Sequence, residues 1–307
     1  MTRRSIPRLP ALASNWAALV IIVLLGSAGC AGRAVGAGSP TATESAHATV
    51  SAVPTPRPAP RPRPRPARVV IRHVVLSDGH LMTVARFTGA VRFVLHCGSS
   101  DPGSSCHGLP GRPWIPPGSR PRLLAAFNGG FLLSTGSGGY EQAGRLISPL
   151  QRGLASLVIY RSGAASVGAW GYRMPRPAQR VYSVRQNLSL LVRNGRPTVA
   201  AFGAWTYWGA TLGGGELVAR SALGENAKGQ LIYVASMSAT PADLAVALVR
   251  FGARSAMELD INPEWVQLAY ANKPGWRLHG GVTGQARPAD QYLIGWTRDF
   301  IAVMARG

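Results

Sequence analysis

Residues 230–262 read QLIYVASMSATPADLAVALVRFGARSAMELDIN, and the fold follows from this stretch. The apolar run 230–236 predicts a strand. Thr240 is a good helix N-cap, Pro241 suits the first turn, and Asp243 stands where a capping box needs an acceptor. Leu244, Ala247, Leu248 and Phe251 then recur at helical spacing, and Gly252 is a natural stop. A second strand leads to Asp260. Strand, helix and strand joined this tightly predict a right-handed parallel crossover, with the end of the second strand opening on a cleft edge. The expected class is therefore α+β, mixed twisted sheets with a few packed helices, including one βαβ unit near the C-terminus.

The second strand carries the chemistry. Side chains alternate along a strand, so Met257, Leu259 and Ile261 are expected to face a core while Glu258 and Asp260 share the other face, about 7 Å apart. Paired carboxylates at such a separation divide acid, base or nucleophile roles at a sugar carbon, and a half-buried strand with a polar outer face shows the same pattern. Acids are scarce here: 12 Asp and Glu oppose 33 Lys and Arg, for a formal charge of +21. Lys228 and Lys273 are the only lysines. That balance favours anionic partners.

The N-terminus predicts export and therefore argues against nucleic acid as the partner. Arg3, Arg4 and Arg8 precede an apolar run over 17–25, small residues over 26–29, and Cys30. This is a signal-peptide pattern resembling a bacterial lipobox, in which Cys30 would be lipidated and anchor the chain to the membrane outside the cytoplasm. Residues 31–68 form a Pro/Arg-rich linker. Alternating proline over 54–66 predicts a polyproline spacer of about 40 Å at roughly 3.1 Å per residue.

Strand-like runs follow at 69–75, 81–87, 90–96, 123–127, 155–160, 165–170, 188–192, 198–202 and 217–224. Between them, Cys97 and Cys106 bracket a short loop. In an exported chain they are expected to form a disulfide. A Cys2His2 metal site using His96 and His107 is the rival, but neighbouring strand residues point apart. No metal site is assigned and no cofactor is expected. The run 123–127 leads into Asn128-Gly129-Gly130-Phe131, a bend whose glycines can adopt positive φ and turn their amides toward an anion.

Three segments together resemble the phosphodiester glycosidase family: Ala126-Phe127-Asn128-Gly129-Gly130-Phe131, Arg220-Ser221-Ala222-Leu223-Gly224 with the following strand, and the helix leading into Glu258-Leu259-Asp260. The resemblance covers 69–307. It implies that Asn128, Gly129 and Gly130 line a pocket, that Arg220 holds a phosphate, and that Asp260 is an acidic active-site residue with Glu258 as its companion. The family commonly continues from Leu-Asp into Gly-Gly-Gly-Ser. Ile261-Asn262-Pro263-Glu264-Trp265 stands there instead and brings Glu264 and Trp265 to a position to read a different sugar. The function so implied is hydrolysis of a sugar-1-phosphodiester in an envelope glycan or exopolysaccharide. The alternative is an inactive envelope lipoprotein that binds a phosphate-rich glycopolymer.

Overall fold

The computed structural model describes residues 65–306, so the apolar leader, Cys30 and most of the spacer lie outside the described residues. The hairpin β1 (Arg68–Val75) and β2 (Leu81–Thr88) is followed by β3 (Val91–His96) and β4 (Leu123–Asn128). Next come β5 (Tyr140–Gln142), β6 (Arg145–Ser148), β7 (Ala155–Tyr160), β8 (Ala165–Ala169), β9 (Val181–Gln186), β10 (Leu190–Arg193) and β11 (Arg196–Pro197). The last part holds β12 (Val218–Asn226), β13 (Leu231–Ala239), α1 (Pro241–Arg250), β14 (Ala253–Ile261), β15 (Leu268–Tyr270), β16 (His279–Gly280), α2 (Gln291–Ile294) and β17 (Phe300–Ala305).

These strands form three antiparallel sheets, as an α+β chain with few helices should. The largest runs β1-β2-β13-β12-β14-β10-β11, the second β16-β15-β4-β17-β3, and the third β6-β5-β9-β7-β8. The expected strand–helix–strand unit is β13, α1 and β14. Both strands pair antiparallel with β12, so they are parallel to each other with β12 inserted between them. The connection through α1 has enough reach to carry the chain past that extra strand.

One face of the large sheet supplies Phe87, Leu223, Met257 and Leu259 to a core shared with Phe127 and Ile301 of the second sheet and Leu157 of the third. The opposite face, through Ala222, Ile232, Val234 and Ala256, packs under Leu244, Ala245 and Leu248 of α1. Both halves of the capping box form: Thr240 Oγ1 accepts from Asp243 N at 3.1 Å, and Asp243 Oδ2 accepts from Thr240 N at 2.8 Å. Two donors left open by the helix end are thereby satisfied.

The disulfide between Cys97 and Cys106 is present. His96 is instead a core residue: its ring stacks on Phe300 with centroids 4.4 Å apart, and Nδ1 meets Arg112 O at 2.8 Å. Burial pushes its pKa down to about 4. Two expectations need correction. The run 198–202 is no strand: Val199–Phe202 is a 3-10 turn, because Thr198 Oγ1 bonds Leu190 O at 2.8 Å and Trp208 Nε1 bonds Ala200 O at 2.9 Å, curling the segment back on itself. Folded backbone also begins before 69, since Ala90 N donates to Arg65 O at 2.9 Å.

Leu248 is fully buried between α1 and the large sheet. Leu248→Ala is expected to lower unfolding free energy by about 2–5 kcal/mol, read as a lower urea midpoint at unchanged slope.

Candidate active site

The site begins with a β-bulge. Arg220 of β12 pairs with Ile261 and Ala222 with Glu258, so β14 carries one residue more than its partner across this interval. Asp260 N leaves the ladder and donates to Gly129 O at 2.8 Å. Ser221 Oγ donates to Asp260 O at 2.8 Å, and Asn128 Nδ2 reaches the same carbonyl at 3.5 Å. Such bulges re-aim a side chain, and here the re-aimed one is Asp260.

Asp260 lines an open cleft of about 480 Å³ together with Phe131, Tyr207, Ile261, Asn262 and Arg298. Among the described residues it is the one carboxylate on that lining, and Arg298 the one cation. Asp260 Oδ1 accepts from Ile261 N at 2.9 Å, while Oδ2 takes a hydrogen bond from Arg298 Nη1. Burial raises the Asp260 pKa to about 7 against the opposing pull of Arg298. A carboxyl so placed changes charge near neutral pH, which is what an acid or base in turnover requires.

The other expected site residues lie in the wall, off the cleft lining. Glu258 is fully buried, and its Oε1 accepts from Arg220 Nη1 at 2.9 Å. Burial pushes Glu258 up to about 8, with Arg220 pulling the other way and Asp260 adding to the rise. Glu258 Oε2 has no hydrogen-bond partner among the described residues, as suits a carboxyl that gains a proton. Arg220 is also fully buried, and it further donates to Ala239 O at 3.1 Å, Trp208 O at 3.0 Å and Glu216 O at 3.3 Å. The expectation that Arg220, the Asn-Gly-Gly bend and Asp260 border one hollow is thus corrected. The bulge separates the two acids, and each faces its own arginine.

Asn128 is buried and positions the bulge. Its Oδ1 accepts from Tyr233 Oη at 2.9 Å and Gln267 N at 3.2 Å, and its Nδ2 donates to Ser221 Oγ at 2.8 Å. Gly129 and Gly130 are not at positive φ, so the bend does not bare its amides to an anion as expected. Gly129 N donates to Asp299 O at 3.0 Å and Gly130 N to Asp299 Oδ2 at 3.4 Å. Glycine is required for space: a Cβ on Gly129 would lie 2.0 Å from Asp299 Oδ2, and one on Gly130 would lie 2.9 Å from Arg185 Cζ. Behind them Arg185 and Asp299 form a buried fork at 3.0 and 3.1 Å.

Beyond Asp260, Asn262 holds φ +76°, a left-handed conformation that asparagine tolerates. Its side chain accepts from Leu212 N at 2.8 Å and donates to Ala210 O at 3.1 Å, fastening that rim of the cleft. Trp265 packs edge-on to Trp296 with centroids 5.8 Å apart and carries the Arg298 guanidinium 3.7 Å above its ring. Glu264 is half-buried off the lining, its carbonyl 3.5 Å from Arg287 Nε.

Arg298, Asp299 and Arg185 were not among the site residues expected from the sequence. The available signal was an Arg-Asp pair opening the apolar run Phe300–Ala305, which is β17. Alternation there turns Arg298 to the cleft and Asp299 into the wall.

The phosphodiester glycosidase family model matches residues 122–260. No curated protein is a significant match. Among solved structures, the catalytic domain of zebrafish N-acetylglucosamine-1-phosphodiester alpha-N-acetylglucosaminidase, auto-inhibited by its pro-peptide, is 14% identical over 78% of this chain and 83% of its own, with TM-score 0.49. A hypothetical protein from Synechocystis is 13% identical over 80% of this chain and 64% of its own, with TM-score 0.45.

Because the folded Glu258 pKa lies near 8 against an ordinary 4.5, folding takes up a proton there. The stability this contributes is full below about pH 4.5 and is lost as pH rises through about 8. The urea midpoint of the parent minus that of Glu258→Gln should therefore fall across this window. Parallel curves would remove Glu258 as the responsible group.

Proposed function

Since residues 122–260 belong to the phosphodiester glycosidase family, which supports a glycosidase activity of that type in general, we propose that this protein hydrolyses a sugar-1-phosphodiester in an envelope glycan or exopolysaccharide. The observation that carries the reading is Asp260: a carboxyl with a pKa near 7 on the lining of an open cleft of about 480 Å³. That volume lies within the range of small-molecule sites.

The chemistry needs only one such group. Water attacks the anomeric carbon, the bond from that carbon to the phosphate oxygen breaks, and its electron pair leaves on a phosphomonoester. A phosphate is already a good leaving anion, so strong protonation from a second acid matters less than in ordinary glycoside cleavage. Ionised Asp260 takes the proton from that water, or itself attacks the carbon to give a glycosyl ester that water then hydrolyses, freeing the sugar and the carboxylate. Glu258, underneath, acts through Arg220 and the wall.

The sequence of the segment outside the described residues supports tethering. Cys30 in its lipobox-like setting would anchor the chain to the membrane outside the cytoplasm, and the Pro/Arg spacer would lift the cleft toward anionic polymer. Carriage of a clickable fatty acid by the full chain, lost in Cys30→Ser, is the expected result. Equal labelling of the variant would place the lipid elsewhere.

Purified protein should release free sugar from a glycosyl-1-phosphodiester, with kcat/KM rising through about pH 7 to a plateau as Asp260 ionises. Asp260→Asn should fold and lose at least a hundredfold in kcat, on the order of a lost acid–base group. Polymer retention without sugar release would instead identify a binding module, and normal turnover by Asp260→Asn would remove its proposed role.

A further inference from the structure

Three arginines surround the acids, and their hydrogen bonding separates them. Arg220 is fully buried and directs its donors to one carboxylate and three carbonyls. Arg185 is fully buried too, divided between Asp299 and the carbonyls of Phe131 and Gln186. Neither can reach a ligand without breaking the wall. Arg298 differs: its side chain is 15% exposed, it lines the cleft, and among the described residues its one hydrogen bond is from Nη1 to Asp260 Oδ2.

A guanidinium has five N–H groups in a planar fork, so Nε and Nη2 of Arg298 remain available. Its plane is also supported. The Trp265 ring lies 3.7 Å from Cζ and is itself braced edge-on by Trp296. A cation resting on an aromatic face loses little freedom when it meets an anion.

We propose that Arg298 is the phosphate-holding residue of this cleft, with one edge of its guanidinium on Asp260 and the other on a phosphodiester oxygen. The proposal deepens the reading above and rests on it for the substrate class. One rigid planar group then sets the spacing between the leaving phosphate and the carboxylate that works at the adjacent carbon. Trp265 is the platform beneath Arg298.

The test is titration of the full protein with inorganic phosphate and with methyl phosphate, at fixed ionic strength, by calorimetry and by tryptophan fluorescence. The parent and Asp260→Asn should both bind. Arg298→Lys, which keeps the charge but loses the second edge, should bind about tenfold more weakly and Arg298→Ala about a hundredfold more weakly, the scale of charged hydrogen bonds. If Arg298 only neutralised Asp260, adding Arg298→Ala to Asp260→Asn would leave phosphate affinity unchanged, and that result overturns the proposal. So does failure of the folded parent to bind either probe. Should Arg298→Ala not fold by circular dichroism, Arg298→Lys decides. Phosphate binding that depends on Arg298 in a protein that cleaves no glycosyl phosphodiester leaves this assignment standing and removes the hydrolase.

Discussion

The hydrogen bond from Asp260 N to Gly129 O joins the largest sheet to the second one at the place where both strands end. It exists only because β14 carries a bulge, and the bulge is what takes Asp260 out of the ladder and into the cleft. Asn128 secures it from one side through Ser221 and the Asp260 carbonyl. Asp299 secures the bend from the other, through the amides of Gly129 and Gly130. The Asp299 carboxyl against Gly129 and the Arg185 guanidinium against Gly130 are why no side chain fits at either glycine.

One chemical motif, an arginine on a carboxylate, occurs three times around this junction at different depths. Arg185 with Asp299 and Arg220 with Glu258 are wholly buried, whereas Arg298 with Asp260 borders the cleft. Buried pairs contribute little net stability because desolvation offsets their attraction, but removing one partner is costly. Their effect here is positional: they fix the walls, and Glu258, with an unpartnered oxygen, shows how far burial has outweighed its arginine. The pair at the cleft keeps a carboxylate titratable near neutrality and leaves guanidinium donors facing solvent.

The placement of acids also shapes the field outside. Among the described residues Glu225, Asp243, Glu258, Asp260 and Asp299 are buried, five of the twelve acids in the sequence. Among the described residues most arginines not paired with them are exposed, which makes that surface electropositive. An anionic polymer is drawn toward such a surface over distances set by salt screening.

Local patterns alone established the β13–α1–β14 unit, because its cap, apolar stripe and glycine stop are each decided within a few residues. They likewise gave the first hairpin and the Cys97–Cys106 bond, and they singled out Asp260, an acid in an apolar strand that the structure places on the cleft lining. They could not reveal that Glu258 and Asp260 part company. Strict alternation puts both on one face, and the bulge that separates them depends on Gly129 and Asn128, more than a hundred residues earlier. Nor could they tell which arginine is free: Arg220, Arg185 and Arg298 are alike in sequence, and only tertiary packing decides whose donors are already satisfied by carbonyls and whose still face water.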